Sequence, residues 1–275
     1  MNMNKKVILL TGASSGIGFE TAKRLAKEGH IVYGAARRVE RMAELKDIYG
    51  VIPIALDVTD AASCRQVVIQ ILEEQRRIDV LINNAGYGSY GAIEDVSLEE
   101  AKRQFEVNVF GLARLTKEVL PIMRQQHQGR IINVSSIGGR LTTYFGGWYH
   151  ATKYAVEGLS DALRMETKSF GIDVSLIEPG GIKTEWGDIA ADHLEQSAKG
   201  GAYEAAAAKT AAGIRKQYAG NMMSNPSVVA KAIDKAVNQR SPKTRYVIGF
   251  GAKPLIFLHS ILPARCFDWI MMHVS

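Results

Sequence analysis

Cysteine and long apolar runs are both scarce in this sequence, and each shortage excludes a class of protein. Only two cysteines, Cys64 and Cys266, occur in 275 residues, so neither a disulfide framework nor a cysteine-ligated metal site can be built. No stretch reaches the roughly 18 consecutive apolar residues that cross a bilayer. The apolar run at residues 7–10 is too short for the core of a signal peptide. We therefore expect a cytoplasmic protein without a membrane span.

Charge of one sign is not in large excess either. The chain has 34 basic and 28 acidic residues, a net charge of +6 at pH 7, and the basic residues are scattered. Dedicated nucleic-acid binding usually shows a basic stripe or block, so we expect no nucleic acid as a partner. Hydrophobic residues make up 47% of the chain, which is ordinary for a globular protein. With no linker or internal repeat, the sequence predicts a single domain over residues 1–275.

Short apolar runs alternate with longer amphipathic segments along the chain. The runs predict strands at 5–11, 31–36, 51–56, 78–83, 130–135, 173–177 and 246–248. The segments predict helices at about 16–29, 39–48, 60–76, 97–127, 148–169 and 226–240. This alternation indicates βαβ units, and runs that are apolar throughout indicate strands covered on both faces. The predicted fold is α/β, with a doubly wound (Rossmann-type) parallel seven-stranded sheet and helices on both faces.

Two segments depart from this alternation. Residues 181–224 form a long connection of the kind that often covers a binding site, and we expect a lid there. Residues 252–275 contain Phe257, Phe267 and Trp269 among many apolar side chains. We expect this C-terminal extension to cover an edge of the domain or to contact another subunit. A wall of the substrate site, or a peripheral contact with a membrane, is the alternative.

A glycine-rich turn separates the first predicted strand from the first predicted helix. It reads Thr11-Gly12-Ala13-Ser14-Ser15-Gly16-Ile17-Gly18, a spacing that differs from the G-x-G-x-x-G fingerprint. Glycines let the backbone approach a pyrophosphate, whose charge is stabilised at a helix N-terminus. The turn therefore predicts a dinucleotide site. A turn that serves only the close packing of helix on sheet is the alternative.

The end of the second predicted strand indicates which dinucleotide binds. A carboxylate there would bond the ribose 2′-hydroxyl of NAD, but the chain has Ala36 followed by Arg37 and Arg38. Two guanidinium groups suit the 2′-phosphate of NADP, and charge-assisted hydrogen bonds contribute about 1.5–3 kcal/mol. We expect NADP(H) to be preferred over NAD(H), unless the arginines are merely solvated. Asp57 and Val58 end the third strand, where a carboxylate could meet the adenine.

A tyrosine and a lysine at helical spacing form the candidate catalytic pair. Tyr149 and Lys153 are four residues apart and so share one helix face. A nearby lysine charge would lower the tyrosine pKa from about 10 toward the range useful for proton transfer. Polar or glycine-rich motifs also follow three further strands: Asn83-Asn84-Ala85-Gly86, Asn133-Val134-Ser135-Ser136 and Pro179-Gly180. Ligands bind outside the carboxyl ends of such strands, so these motifs are expected at one rim.

Together, these motifs resemble the short-chain dehydrogenase/reductase family. Residues 11–18 are similar to its T-G-x-x-x-G-x-G turn, residues 83–86 to its N-N-A-G segment, and residues 149–153 to its Y-x-x-x-K pair. Residues 179–184 match its P-G-x-x-x-T stretch. The resemblance covers about residues 5–250. The chain also resembles the branch that contains retinol and 17β-hydroxysteroid dehydrogenases.

The resemblance implies a role for each matched residue. It implies Tyr149 as general acid/base, Lys153 as the group that lowers its pKa and bonds the nicotinamide ribose, and Ser136 as the carbonyl-polarising hydroxyl. Asn108 resembles the family asparagine that supports a water in the proton relay. Members are usually dimers or tetramers, in which helices at about 97–127 and 148–169 pack across subunits. Motifs and resemblance together predict these cofactor contacts: Gly12, Ser14, Ser15, Gly16, Ile17, Gly18, Arg37, Arg38, Asp57, Val58, Asn84, Ala85, Gly86, Tyr149, Lys153, Pro179, Gly180, Ile182 and Thr184.

The expected function is an NADP(H)-dependent oxidoreductase that interconverts a primary or secondary alcohol and its carbonyl. An epimerase or dehydratase that uses its nicotinamide transiently, and a non-catalytic NADP(H)-binding sensor or scaffold, are the alternatives. Only the first would consume NADPH with a carbonyl. His193 is expected at the lid surface, without a metal. Other side chains near the site suit an apolar small-molecule substrate or serve only to pack the lid: Tyr87, Tyr90, Tyr144, Trp148, Trp186, Tyr203, Tyr218, Met222 and Met223.

Overall fold

Seven strands form one parallel sheet in the computed structural model, which describes residues 5–274. They are β1 (Val7–Thr11), β2 (Ile31–Ala36), β3 (Ile52–Ala55), β4 (Val80–Asn83), β5 (Gly129–Val134), β6 (Ile172–Pro179) and β7 (Arg245–Ile248). Their order is β3-β2-β1-β4-β5-β6-β7, and every neighbouring pair is parallel. The predicted doubly wound sheet is confirmed. Its strand order changes direction between β1 and β4, which opens a crevice at their carboxyl ends.

Eleven α-helices lie within the described residues. They are α1 (Gly16–Lys27), α2 (Ala43–Tyr49), α3 (Ala61–Gln75), α4 (Leu98–Phe105), α5 (Leu112–Gln125), α6 (Gly147–Thr167), α7 (Trp186–Ala198), α8 (Glu204–Ala219), α9 (Pro226–Asn238), α10 (Ala252–Ile261) and α11 (Ala264–Val274). Each of the six predicted helical segments overlaps at least one of them.

Helices cover both faces of the sheet because its strands are apolar on both sides. In β1, Ile8 and Leu10 pack in the layer that contains α1, α2 and α9, while Leu9 packs in the layer that contains α3 and α5. All three side chains are fully buried, and each contributes about 1.5–3 kcal/mol to folding through burial. The two helical layers fix the carboxyl rim of the strands, where the polar motifs lie.

The long helix predicted over residues 97–127 is interrupted. Residues 106–111 form a π-helical turn between α4 and α5, a feature that often marks a functional site. Asn108 lies buried in this turn, and its side-chain amide bonds the backbone of Tyr87 and the hydroxyl of Thr152. These polar contacts are long-range in sequence, so apolar periodicity alone could not reveal the turn.

The segment predicted as a lid, residues 181–224, is largely helical rather than an extended connection. Helices α7 and α8 fill most of it and pack against each other through small buried side chains, which include Ala190, Ala191, Ala207 and Ala211. Small side chains allow the two helices to approach closely. The alanine-rich stretch therefore forms the contact between two helices above the carboxyl rim of the sheet.

The C-terminal extension forms α10 and α11. Phe267 and Met271 of α11 are buried against Leu141, with apolar side chains of α10 packed around them. The extension thus contacts the segment that follows β5. None of the helices in the described part of the chain is long and apolar enough to cross a membrane.

Candidate active site

A cleft of about 590 Å³ opens at the carboxyl rim of the sheet. Most of the predicted site residues line it: Gly12, Ser14, Ser15, Gly16, Ile17, Arg37, Arg38, Asp57, Val58, Asn84, Ala85, Gly86, Ser136, Tyr149, Lys153, Pro179, Gly180, Ile182 and Thr184. Gly18 and Asn108 are not among the lining residues. Each of these two supports the lining from behind, as described below.

One side of the cleft, here called the cradle wall, consists of residues 11–18, 36–38, 57–58 and 84–86. Gly12 and Gly16 have φ angles of +69° and +52°, which favour glycine. A Cβ atom on Gly18 would lie 2.0 Å from the carbonyl oxygen of Gly12, so only glycine allows α1 to begin this close to the turn. The first turn of α1 carries no acidic residue, and its N-terminus favours an anion.

Thr11 and Asn84 brace the cradle wall. The hydroxyl oxygen of Thr11 accepts hydrogen bonds from the backbone N–H groups of Asn84 and Ala85, at 3.0 and 2.9 Å. The side-chain amide of Asn84 donates to the carbonyl oxygens of Thr11 and Gly12, at 3.0 and 3.2 Å. The predicted cofactor residue Asn84 therefore holds the glycine turn against the end of β4. Thr11 also lines the cleft, although the sequence did not single out its side chain.

Arginines border the far end of the cradle wall. Arg37 and Arg38 follow β2 and are exposed at the cleft. Burial raises the pKa of Asp57, but hydrogen bonds from Thr59 and the charge of Arg37 outweigh it, so the net pKa lies below its usual value. Asp57 is thus a carboxylate at neutral pH.

Tyr149, Lys153 and Ser136 meet in the middle of the cleft. The Ser136 side chain lies close enough to Tyr149 to lower its pKa, and the Ser136 hydroxyl oxygen accepts a bond from the backbone N–H of Gly138 at 3.0 Å. The ammonium of Lys153 lies 5.8 Å from the centroid of the Tyr149 ring and donates to the carbonyl oxygen of Val134 at 3.0 Å. The structure therefore brings the three predicted catalytic side chains together.

The pKa of Tyr149 differs from the sequence prediction. Lys153 was expected to lower it, whereas burial raises it above its usual value, although the nearby Ser136 side chain acts in the opposite direction. Burial also lowers the pKa of Lys153 to about 8, against the opposing charge of Glu157. The prediction rested on the charge of Lys153, but removal from water disfavours the charged form of both side chains. Tyr149 is therefore a protonated phenol in this structure at neutral pH.

Asn108 supports this group from behind. A Cβ atom on Gly86 would lie 3.0 Å from the Asn108 side-chain oxygen and 3.9 Å from the Lys153 nitrogen. A side chain at Gly86 would therefore crowd Asn108 and come into contact with Lys153. Asn108 also accepts a bond from the backbone N–H of Tyr87 at 3.1 Å. The relay that the resemblance implies for Asn108 stays a prediction.

His150 is a site residue that the sequence reasoning missed. Its Nε2 accepts a bond from the backbone N–H of Thr143 at 3.0 Å, so its Nδ1 carries the proton and donates to the carbonyl oxygen of Gly138, also at 3.0 Å. Burial lowers the pKa of His150 to about 4. Through these two hydrogen bonds, the neutral His150 ring holds the segment that follows Ser136 in place. Its only sequence signal is its position beside Tyr149.

Aromatic side chains form the opposite side of the cleft, here called the lid wall: Tyr87, Tyr90, Trp186, His193 and Tyr218. The Trp186 ring lies 5.3 Å from that of Tyr149 and meets the Tyr90 ring edge-on at 5.4 Å. Glycines make room for this wall, because a Cβ atom on Gly88 would lie 2.5 Å from Trp186, and one on Gly187 would lie 2.3 Å from Tyr218.

Two expectations about the lid wall need correction. His193 is not a surface residue, because it is half-buried, lines the cleft and lies 6.4 Å from the Tyr87 ring. Five of the proposed lining residues do not reach the cleft: Tyr144, Trp148, Tyr203, Met222 and Met223. Tyr144 and Tyr203 instead pack between elements of the lid. Among the residues with described structure, no cluster of His, Cys, Asp and Glu could hold a metal ion.

The geometry fits a dinucleotide along the cradle wall and a reacting group beside Tyr149. The glycine turn leaves backbone and small hydroxyl groups facing the cleft at a helix N-terminus, which is an anion site. Arginines and a carboxylate stand at its far end, and a proton donor stands at the other. Such an arrangement can hold a nucleotide by its phosphates and transfer a proton to a bound oxygen.

Comparisons with known proteins agree with this geometry. A family model described as short chain dehydrogenase matches residues 6–194. The chain is 39% identical over 268 residues to the 3-ketodihydrosphingosine reductase of Bacteroides thetaiotaomicron, covering 98% of this chain and 94% of that protein. A solved short-chain dehydrogenase from Streptomyces avermitilis has a TM-score of 0.80 at 36% identity, covering 94% of this chain and 92% of that one.

Two further solved structures of similar fold hold a dinucleotide. A short chain dehydrogenase/reductase from Burkholderia phymatum in complex with NAD has a TM-score of 0.79 at 25% identity, covering 98% of this chain and 96% of that one. A serine dehydrogenase complexed with NADP+ has a TM-score of 0.72 at 28% identity, covering 87% and 92%. Proteins similar to this chain therefore bind either NAD or NADP.

Proposed function

The chain belongs to the short-chain dehydrogenase family of oxidoreductases, and from that premise we propose that it is an NADP(H)-dependent reductase of apolar carbonyl compounds that also oxidises the corresponding alcohols. One observation carries the proposal: Tyr149 shares a helix with Lys153 and lines the cleft with Ser136, at the point where the cradle wall meets the lid wall. A proton donor is thus placed between a dinucleotide cradle and an aromatic pocket.

The cradle wall supports NADP(H) as the cofactor. The backbone of residues 12–18 would hold the pyrophosphate, Arg37 and Arg38 the 2′-phosphate, and Asp57 the adenine amine. Ile182 and Thr184 would contact the nicotinamide end. Two exposed guanidinium groups and the absence of a carboxylate at Ala36 favour NADP(H) over NAD(H) by roughly one to two orders of magnitude in affinity.

The catalytic side chains would move the proton. When bound, NADPH supplies the hydride that adds to the carbonyl carbon, and NADP+ accepts it in the reverse direction. The Tyr149 hydroxyl donates its proton to the carbonyl oxygen as the C=O π bond breaks, and the Ser136 hydroxyl holds that oxygen in place. Because burial keeps Tyr149 protonated, the free enzyme is prepared for reduction. The Lys153 ammonium stabilises the resulting phenolate, which a water beside Asn108 would reprotonate.

The lid wall supports an apolar substrate of some bulk. Tyr90, Trp186 and Tyr218 present ring surface toward Tyr149, and aromatic pockets of this kind bind apolar bodies by shape. A relative that is similar over almost the whole chain is named 3-ketodihydrosphingosine reductase, which supports a ketone as the substrate. Steroid, retinoid and aromatic ketones share the same chemistry, and the retinol and 17β-hydroxysteroid dehydrogenase branch stays a prediction.

The test is NADPH and NADH oxidation at matched concentrations against a panel of carbonyls. The panel contains a short aliphatic ketone, an aromatic ketone, a steroid ketone and 3-ketodihydrosphingosine. We expect NADPH consumption with at least one bulky apolar member and little with the short ketone. Tight NADPH binding without consumption for any member would contradict the proposal and favour the sensor or scaffold alternative.

The helices α4 to α6 also support self-association into a dimer or tetramer. Large apolar side chains are exposed along them and the π-helical turn: Leu98, Phe110, Tyr154, Leu159 and Met165. Large exposed apolar side chains of this kind favour association with another copy of the chain. Light scattering on the purified protein should therefore give a mass of two or four chains, and a monomer would contradict this assignment.

A further inference from the structure

The two C-terminal helices expose more apolar surface than a solvated edge requires. Phe257 and Ile261 of α10 and Trp269 and Met272 of α11 are each between 56% and 63% exposed, and we call these four side chains the tail surface. Within each helix they are spaced by three or four residues, so each pair lies on one helix face. Each of the two helices therefore presents one exposed apolar pair.

The opposite side of the same helices is fixed to the body of the protein. Phe267 and Met271 are buried against Leu141, and the Phe267 ring meets the ring of His259 edge-on at 4.9 Å. Leu141 also lines the cleft. The tail surface therefore belongs to two helices that pack against the domain beside the cleft.

The area of the tail surface argues against a second copy of the chain as its occupant. With ~200 Å² for a whole large side chain, four that are exposed to this degree offer on the order of 500 Å². A stable dimer buries about 800 Å² on each partner. A patch of about 500 Å² is instead the size that a monomer keeps exposed for a function.

The chemistry of the tail surface fits a lipid bilayer. Helices that lie in a membrane interface present tryptophan, phenylalanine and aliphatic side chains to the acyl region and basic residues to the headgroups. Lys253 and Arg265 are exposed on α10 and α11, against the single exposed acid Asp268 within residues 252–272. We propose that the tail surface docks the protein on an anionic lipid bilayer, with the cleft at its edge. This goes beyond the reductase assignment and does not depend on it.

Vesicle binding by the full chain tests the proposal. The probes are vesicles of phosphatidylcholine alone and of equal parts phosphatidylcholine and phosphatidylglycerol, followed by cosedimentation. We expect binding to the anionic vesicles to be roughly fivefold tighter, because each basic residue near the surface contributes about 1 kcal/mol and the exposed bases outnumber the exposed acid by one. Trp269 is exposed whereas Trp148 and Trp186 are half-buried. Vesicles should therefore shift tryptophan emission to the blue, and brominated lipids should quench it.

The variant Phe257→Glu/Met272→Glu places two acids on the tail surface and keeps Trp269 as the reporter. We expect it to bind anionic vesicles about tenfold or more weakly. The matched control Ile48→Glu/Ile69→Glu changes exposed isoleucines on α2 and α3 and should bind as the parent does. Unchanged melting temperatures would show that both variants are folded.

Three outcomes would overturn the proposal. The first is the absence of binding to either kind of vesicle, and the second is equal loss of binding in the tail variant and its control. The third is a tail variant that binds vesicles normally but has a lower mass by light scattering than the parent. That result would make a second copy of the chain the occupant of the tail surface.

Discussion

The two walls of the cleft are built from different parts of the chain in different ways. The cradle wall faces the cleft mostly with backbone, small hydroxyls and glycine, in the loops that follow β1, β2, β3 and β4. The lid wall faces it with large rings, drawn mainly from α7, α8 and the segment after β4. Glycines occur in both walls. In the cradle wall they allow backbone segments to approach each other closely, and in the lid wall they leave space for the rings of Trp186 and Tyr218.

This difference indicates what each wall recognises. A wall made of backbone N–H groups and a helix N-terminus fits one charged group of constant shape, such as a pyrophosphate. A wall made of aromatic side chains binds by contact area and shape, which can change with single substitutions. We therefore expect substitutions on the cradle wall to change cofactor affinity, substitutions on the lid wall to change substrate preference, and Tyr149 between them to change only the chemical step.

The largest effect is expected for Tyr149→Phe. This substitution keeps the ring between the two walls but removes the proton donor, so kcat for carbonyl reduction should fall at least about a hundredfold. Steady-state kinetics would measure the fall, and fluorescence titration should give an unchanged Kd for NADPH.

Tyr154→Phe is the matched control, since it removes an exposed phenol hydroxyl from the same helix and should leave kcat unchanged. Equal activity of Tyr149→Phe and the parent would remove Tyr149 from the mechanism. A large rise in the Kd for NADPH would show that Tyr149 belongs to the cradle wall.

The next effect concerns the cradle wall alone. The double variant Arg37→Ala/Arg38→Ala should weaken NADPH binding by about ten- to a hundredfold, because charge-assisted hydrogen bonding to the 2′-phosphate, about 1.5–3 kcal/mol in total, is lost. Binding of NADH, which lacks the 2′-phosphate, should change little and serves as the internal control. Titration calorimetry with both nucleotides measures the ratio, and a parallel loss for both would contradict the assignment of these arginines.

Lys153 should impose a pH dependence on reduction. Burial lowers its pKa to about 8, so the ammonium loses its proton as the pH rises through that value. Because the charged form stabilises the Tyr149 phenolate, kcat/KM for reduction should be level below pH 8 and fall by about tenfold per pH unit above it. Lys153→Arg keeps its charge at these pH values, so the remaining activity should not show the break. A break at the same pH in the variant would assign it to another group.

The smallest effect is expected on the lid wall. Trp186→Ala removes ring surface beside Tyr149 without touching the cradle wall, so KM for the best bulky ketone should rise several-fold. Values for a short ketone and the Kd for NADPH should stay the same. A loss of NADPH affinity would break the division between the two walls, and an unchanged KM for every ketone would leave the lid wall without a role in recognition.

The cradle wall and the sheet were readily predicted from the sequence. A turn whose backbone binds phosphate needs glycine at fixed positions, so the glycines at residues 12, 16 and 18 reveal it in the sequence. The alternation of apolar runs and helices predicted all seven strands. The rim followed from topology, because the carboxyl ends of parallel strands meet at one edge. The lid wall resisted prediction because aromatic residues pack cores as often as they line sites, so Trp186 and Tyr203 could not be told apart.

Electrostatics and long-range contacts account for the other differences. The Tyr149 pKa depends on burial that spacing along a helix does not reveal, so the predicted direction was wrong in this structure. The π-helical turn around Asn108 depends on partners 21 and 44 residues away. His150 acts through contacts with the loop that follows β5, which no motif marks. Each depends on three-dimensional contacts rather than on local pattern.

The central claim is that a hydride passes from a nicotinamide in the cradle to a carbonyl carbon beside Tyr149. Its most direct test is mass spectrometry of the alcohol formed from the best panel ketone with NADPH that carries deuterium at both C4 positions of the nicotinamide. We predict one deuterium on the carbinol carbon of the product from the parent protein, and no product above background from Tyr149→Phe. An alcohol without deuterium, or equal product from the variant, would contradict the account.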